Sequence, residues 1–135
     1  MKWTAFVLIA LVVILSSCFK LRLGMKGVYD QMNPPQFSEQ TEGKSVQLID
    51  VRSPREYENG HLANAVNIPL LDNDFRAGID SLQLDTLQPV YIYCMTQHRS
   101  PPAAGILVDM GFDLVVDLKG GYWKWKRKGF ATTTE

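Results

Sequence analysis

Cysteine is scarce in this sequence, with Cys18 and Cys94 the whole supply in 135 residues. They stand far apart, with no metal-type spacing and no even-numbered disulfide framework, so Cys94 reads as a free thiol. An excess of charge of one sign is lacking too. Fourteen Lys and Arg balance 14 Asp and Glu, so bulk electrostatics recruit neither nucleic acid nor an acidic membrane surface. No internal repeat or low-complexity tract occurs, and nothing in the sequence calls for a cofactor or a metal. What is present is ordinary globular material, 46% hydrophobic and 21% charged, long enough for one domain with one core and not for two.

The first residues do not read as fold. Lys2, an apolar run from Ala5 to Leu15, and then Ser16 and Ser17 before Cys18 have the build of a secretion signal, the run being short against the roughly 20 residues that span hydrocarbon. Leu15-Ser16-Ser17-Cys18 resembles the bacterial lipoprotein box, which implies cleavage before Cys18, lipidation of its sulfur and a domain facing the periplasm or exterior. The alternative is an uncleaved single anchor helix from Trp3 to Phe19, with Lys20, Arg22 and Lys26 holding the domain in the cytoplasm. Either way the domain is tied to a membrane. Outside the cytoplasm a free thiol is open to oxidation, which favours a reducing partner or the cytoplasmic topology. The chain divides into a signal or anchor (1–17), a tether (18–28), a domain (29–131) and a tail (132–135).

Beyond the tether, strand and helix signals alternate. Asn33 followed by Pro34 predicts a helix through about Glu42. Ser45–Val51 and Ala65–Ile68 read as strands, and Asp72–Leu82 carries helical spacing at Phe75, Ile79 and Leu82. Val90–Tyr93 is β-branched and aromatic, hence strand. Pro101–Met110 is a helix stopped by Gly111. Leu114–Leu118 is a last strand before Gly120-Gly121 turns the chain into a closing segment around Trp123 and Trp125. This rhythm predicts an α/β fold of three layers, a mostly parallel sheet with helices on both faces.

In such sheets, sites form beyond the carboxyl ends of strands. Two segments put polar residues there: IDVRSPREY and CMTQHRS. Cys94 closes one strand, and Ser100 with Pro101 starts the next helix, so the thiol is held by rigid elements on both sides and is expected to face outward. The unpaired N–H groups of a helix start favour an anion, and so the thiolate nucleophile. A persulfide on Cys94, with its anionic terminal sulfur, would gain from the same donors.

IDVRSPREYENGHLANAVNIPL, YCMTQHRS and LKGGYWKWKRKGF, in this order, resemble the three signature segments of the rhodanese, or single-domain sulfurtransferase, family. Asp50, Val51, Arg52, Glu56, Gly60, His61, Ala65, Asn67 and Pro69 match the first, Cys94, Arg99 and Ser100 the second, and Gly111, Gly120, Gly121 and Trp125 the last part. The resemblance covers roughly residues 29 to 130. It implies a covalent, two-step sulfur transfer from a small sulfur-containing anion such as thiosulfate to a thiophilic acceptor, cyanide or a thiol, of a protein included. Cys94 would be the nucleophile, and the N–H groups of Met95, Thr96, Gln97, His98 and Arg99 would cradle the persulfide, with Arg99 ordering the loop or drawing in the donor. Single modules of this family also serve as binding or regulatory domains without turnover, and the tether and Gln97 both suit that alternative.

Gln97 stands where the family usually has glycine. If φ there is positive, a residue with a side chain costs about 1–2 kcal/mol. Asn64, also at a glycine position, tolerates a left-handed backbone better. Related phosphatases place five residues between cysteine and arginine; here four intervene, a cradle suited to one sulfur atom. Arg52 is expected at the sheet edge, paired with a carboxylate such as Glu56, the lesser alternative being a donor-binding cation at the rim. His61 is expected to fix a turn through backbone hydrogen bonds, and His98 to face solvent. Lys124, Lys126, Arg127 and Lys128 read as a solvated helix face, and Trp123 and Trp125 as core and lid packing.

Overall fold

The computed structural model describes residues 27–135. The expected signal or anchor, the tether and the lipidation site Cys18 lie outside those residues, save that 27 and 28, assigned to the tether, belong to the fold. Five strands, β1 (Val28–Met32), β2 (Gln47–Asp50), β3 (Val66–Asn67), β4 (Val90–Tyr93) and β5 (Leu114–Leu118), alternate with five helices. These are α1 (Pro34–Thr41), α2 (Pro54–Glu58), α3 (Phe75–Ser81), α4 (Ser100–Asp109) and α5 (Gly121–Arg127). All strand pairs are parallel, in the order β1-β5-β4-β2-β3. The α/β architecture is therefore the expected one. Among the described residues no helix is long and apolar enough to cross a membrane.

The pleat sorts the core into two halves, because successive strand side chains point to opposite faces. Val90, Ile92 and Cys94 of the β4 stretch join Ala103, Leu107 and Phe75 on the face covered by α3 and α4. Tyr91 and Tyr93 join Phe37, Tyr122 and Trp125 on the face covered by α1 and α5. A parallel sheet buried on both faces needs near-continuous apolar strands, and β4 is buried at every position.

Local signals explain most of the helix starts. Asn33 accepts the Gln36 N–H while the Gln36 side chain accepts the Asn33 N–H, and Ser53 and Glu56 repeat this capping box at α2. The sequence reading passed over α2. It also placed the start of the domain late: β1 pairs with β5 from Val28↔Leu114 to Met32↔Leu118. At the far end, residues 132–135 are not a free tail. His61 and Thr133 form an antiparallel bridge, and the His61 Nε2 meets the Glu135 carbonyl at 3.1 Å.

The order of the strands fixes where a site can form. From β2 the chain moves outward to β3, then returns across the sheet to β4 and on to β5, so the direction reverses between β2 and β4. At such a switch point the loops leaving two neighbouring strands separate and open a crevice. The loop after β2 carries Arg52 and leads to Glu56; the loop after β4 is Cys94–Arg99.

Candidate active site around Cys94

Cys94 follows β4 directly, on the pleat face packed by α4. Its side chain does not face outward as expected, being only 1% exposed; the alternation that buries Val90 and Ile92 carries on to the next position of the same parity. The chain then curls back over the thiol. The Gln97 N–H donates to Cys94 Sγ at 3.1 Å, and the Ser100 hydroxyl lies 3.5 Å from the same sulfur. The helix start contributes less than its position suggests. Pro101 and Pro102, early in α4, have no N–H, and the Ala103 N–H is bound to the Arg99 carbonyl at 3.2 Å. The loop itself thus supplies the donor on the sulfur.

That donor depends on an unusual backbone. Gln97 has φ of 69°, in the left-handed region, as does Asn64 at 64°. The Gln97 side chain is bound at both ends: Nε2–H donates to Asp117 Oδ2 at 3.1 Å, and Oε1 accepts the Gly120 N–H at 2.8 Å. Asp117 itself is wholly buried, accepts the Tyr29 hydroxyl on Oδ2 at 2.8 Å, and has no partner on Oδ1 among the described residues. Burial pushes the Asp117 carboxyl above the usual carboxylate range, against the opposing pull of its hydrogen bonds to Gln97 and Tyr29. Burial likewise drives the Tyr29 hydroxyl up to about 12. The sequence reading missed Asp117. Its signal was an acid inside the apolar stretch LVVDL, in step with Val115 and so on the face that carries Cys94.

Arg99 clasps the opposite wall. Its guanidinium meets Glu56 in two bonds of 2.7 Å, and Glu56 also accepts the Ser53 N–H and hydroxyl at 2.9 and 2.8 Å. Arg99, with burial opposing and Ser53 assisting, holds the Glu56 carboxyl down at about 2. The ion pair bridges the two loops of the switch point. Arg52, expected at the edge with Glu56 or free at the rim, is instead fully buried and paired with Asp50 at 2.6 Å. Its Nη2 also donates to the Gly60 carbonyl, and the Tyr122 ring covers the guanidinium at 4.0 Å. A donor in the crevice has no exposed face of Arg52 to meet, because Glu56 is occupied by Arg99 and strand-end Asp50 takes the arginine inward.

The N-terminus of α5 braces the loop from behind. Tyr122 N–H donates to the Cys94 carbonyl at 2.8 Å and Trp123 N–H to the Met95 carbonyl at 3.0 Å, so the amides of a helix start are used here on the loop's own backbone. Gly121, at φ +63°, makes this approach possible; a Cβ there would lie 2.5 Å from the Met95 oxygen and 2.6 Å from that of Cys94. Met95 is half-buried, while Thr96 and His98 are exposed and joined to each other, Oγ1 to Nδ1, at 2.9 Å. His61 stacks on Tyr57 and bonds backbone, away from the thiol. Lys126 and Arg127 on α5 and Lys128 just after it are exposed; Trp125 is core, but Trp123 is half exposed, with Arg127 over its ring at 4.5 Å, rather than packed.

Comparison with known proteins matches this geometry to a family. Residues 33–128 match the model of the rhodanese-like domain. The chain is 34% identical over 97 residues to a thiosulfate sulfurtransferase, GlpE, of Shewanella oneidensis, covering 72% of this chain and 92% of that protein. It is 42% identical over 85 residues to YqhL of Bacillus subtilis, covering 63% of this chain and 64% of YqhL. Among solved structures, a rhodanese-related protein from Thermoplasma volcanium superposes with a TM-score of 0.68 at 28% identity, over 79% of this chain and all of that one. The chain belongs to the rhodanese-like domain family.

Proposed function

We propose that this rhodanese-like protein is a sulfurtransferase that carries sulfane sulfur as a persulfide on Cys94. In the first half-reaction the Cys94 thiolate attacks the outer sulfur of a donor such as thiosulfate; the donor's S–S bond breaks, sulfite leaves with the electron pair, and a Cys94 S–S bond forms. In the second, a nucleophilic acceptor, cyanide or a thiolate, attacks the terminal sulfur and Cys94 leaves as thiolate. Both steps move negative charge onto sulfur. The observation that carries the reading is the Gln97 N–H aimed at Cys94 Sγ at 3.1 Å, at the switch point of a parallel sheet. Arg99, spent on Glu56, orders the loop in this scheme. Met95, Thr96 and His98 line its outer side, where donor and acceptor would arrive. The test is thiocyanate formation from thiosulfate and cyanide, together with intact mass after thiosulfate treatment. The expected result is a gain of one sulfur atom on Cys94, with both signals gone in Cys94→Ser; a folded parent protein that shows neither would sink the proposal.

One observation favours a second reading, a binding or regulatory module. A thiol only 1% exposed admits a donor less readily than an open one. Such a module would keep its fold and show neither signal. Attachment to a membrane, by a lipid on Cys18 or by an anchor helix from Trp3 to Phe19, is part of the proposal and rests on the sequence alone. Intact mass of the membrane-extracted protein distinguishes the two: a diacylglyceryl-sized gain on a chain beginning at Cys18 supports lipidation, and an unmodified full-length chain supports the anchor.

A further inference from the structure

The Gln97 carboxamide is used at both of its ends. Its nitrogen donates to Asp117 Oδ2 at 3.1 Å and its oxygen accepts the Gly120 N–H at 2.8 Å. The same residue sends its backbone N–H to Cys94 Sγ at 3.1 Å from a left-handed backbone at φ 69°. A residue with a side chain leaves that conformation unless its surroundings hold it. Asp117, which does the holding, is itself fixed: it is wholly buried, and its Oδ2 accepts the Tyr29 hydroxyl at 2.8 Å, which in turn accepts Gln31 Nε2–H at 2.6 Å. The chemistry is directional. An amide presents a donor to the carboxylate and an acceptor to the N–H, whereas a carboxylate at position 97 would set like charge against Asp117.

We infer that Gln97 and Asp117 are positioning residues that act as one clamp: the side-chain bridge from the loop to β5 and the α5 start keeps the residue 97 N–H on the Cys94 sulfur. The sequence feature that looked like a defect in the cradle is, in this chain, the part that holds it shut. The inference rests on Cys94 being the working thiol, but the contact it concerns can be measured without any sulfur transfer.

The direct readout is native-state hydrogen exchange at the residue 97 amide, resolved by NMR, in the full-length chain. Asp117→Ala, which removes one of the two side-chain bonds of Gln97, is expected to speed exchange at that amide about tenfold, and Gln97→Ala, which removes both, by at least as much, while amides of β4 and β5 stay protected. Asp117→Asn keeps an acceptor oxygen for Nε2 and is expected to stay within about threefold of the parent. The double Ala variant should be no faster than Gln97→Ala alone. Loading of Cys94 by thiosulfate should slow in the same order. If Asp117→Ala does not fold, Gln97→Ala and Asp117→Asn carry the test. Unchanged protection of residue 97 in Gln97→Ala, additive single effects, or an acceleration spread evenly over the sheet would each overturn the clamp. A parent that fails the thiocyanate assay yet shows the exchange pattern removes the transferase reading and leaves the clamp; an active parent lacking the pattern does the reverse.

Discussion

Gly121→Ala is the sharpest test of the way the loop is braced. The added Cβ would sit 2.5 and 2.6 Å from the carbonyl oxygens of Met95 and Cys94, where ordinary contact begins at 3.4 Å. Nearly an ångström must therefore come from backbone, since no flexible side chain stands in the way. Moving those carbonyls loosens the bonds they accept from Trp123 and Tyr122, worth about 1 kcal/mol each. Alanine at φ +63° adds about 1–2 kcal/mol, and the stiffer unfolded chain returns about 0.4–1 kcal/mol. The net loss is about 3 kcal/mol, a fall in melting temperature of roughly 10–20 °C for a domain of this size. Urea denaturation with the slope checked against the parent measures it. Gly105→Ala is the control: Gly105 is exposed within α4 with nothing within 4 Å of its Cβ, so alanine should stabilise by about 0.5–1 kcal/mol. A Gly121→Ala loss below about 1 kcal/mol would refute the bracing, because the α5 start could then move off the loop freely.

Three further outcomes are expected. Glu56 has a folded pKa near 2 against 4.5 for the free group, so its pairing with Arg99 stabilises the protein fully above about pH 5 and fades as pH falls towards 2; urea midpoints of the parent should drop between pH 5 and 3 more steeply than those of Glu56→Gln. Asp50→Asn leaves the Arg52 guanidinium, 0% exposed, without its counter-charge and should cost about 3–5 kcal/mol in denaturant unfolding, against little loss if the pair were peripheral. Trp125→Ala, in the core, should cost about 3–5 kcal/mol by the same measurement. Trp123→Ala, half exposed, should stay within about 1 kcal/mol, and equal losses for the two would contradict their different burial.

Elements whose own residues carry a period were legible in the sequence. β2, β4 and β5 are apolar because both sheet faces are covered, and α1 and α4 announce themselves by Asn33-Pro34 and Ser100-Pro101. β1 was not legible, because VYDQM has its first four residues exposed and becomes a strand only by pairing with β5. The α2 capping box, Ser53 with Glu56, was readable and went unread. At the site, a positive φ at Gln97 was raised only as a condition, through the resemblance to a family with glycine at that position. The loop itself followed from Cys94 standing between a strand and a helix start. The partners of its charges did not. Arg52 turns inward to a carboxylate two residues back, and Glu56 reaches 43 residues along the chain to Arg99, a choice made by the reversal of strand order rather than by local sequence.

The neighbour of β1 in the sheet is the last strand of the chain. During synthesis, Val28–Met32 leaves the ribosome long before Leu114–Leu118, and its backbone donors have no partner strand until then. The contacts that complete the sheet are thus among the most distant along the polypeptide, which slows folding. A nascent chain halted before residue 114 would hold β2, β3 and β4 with one flank of β4 bare, an edge open to pairing with strangers.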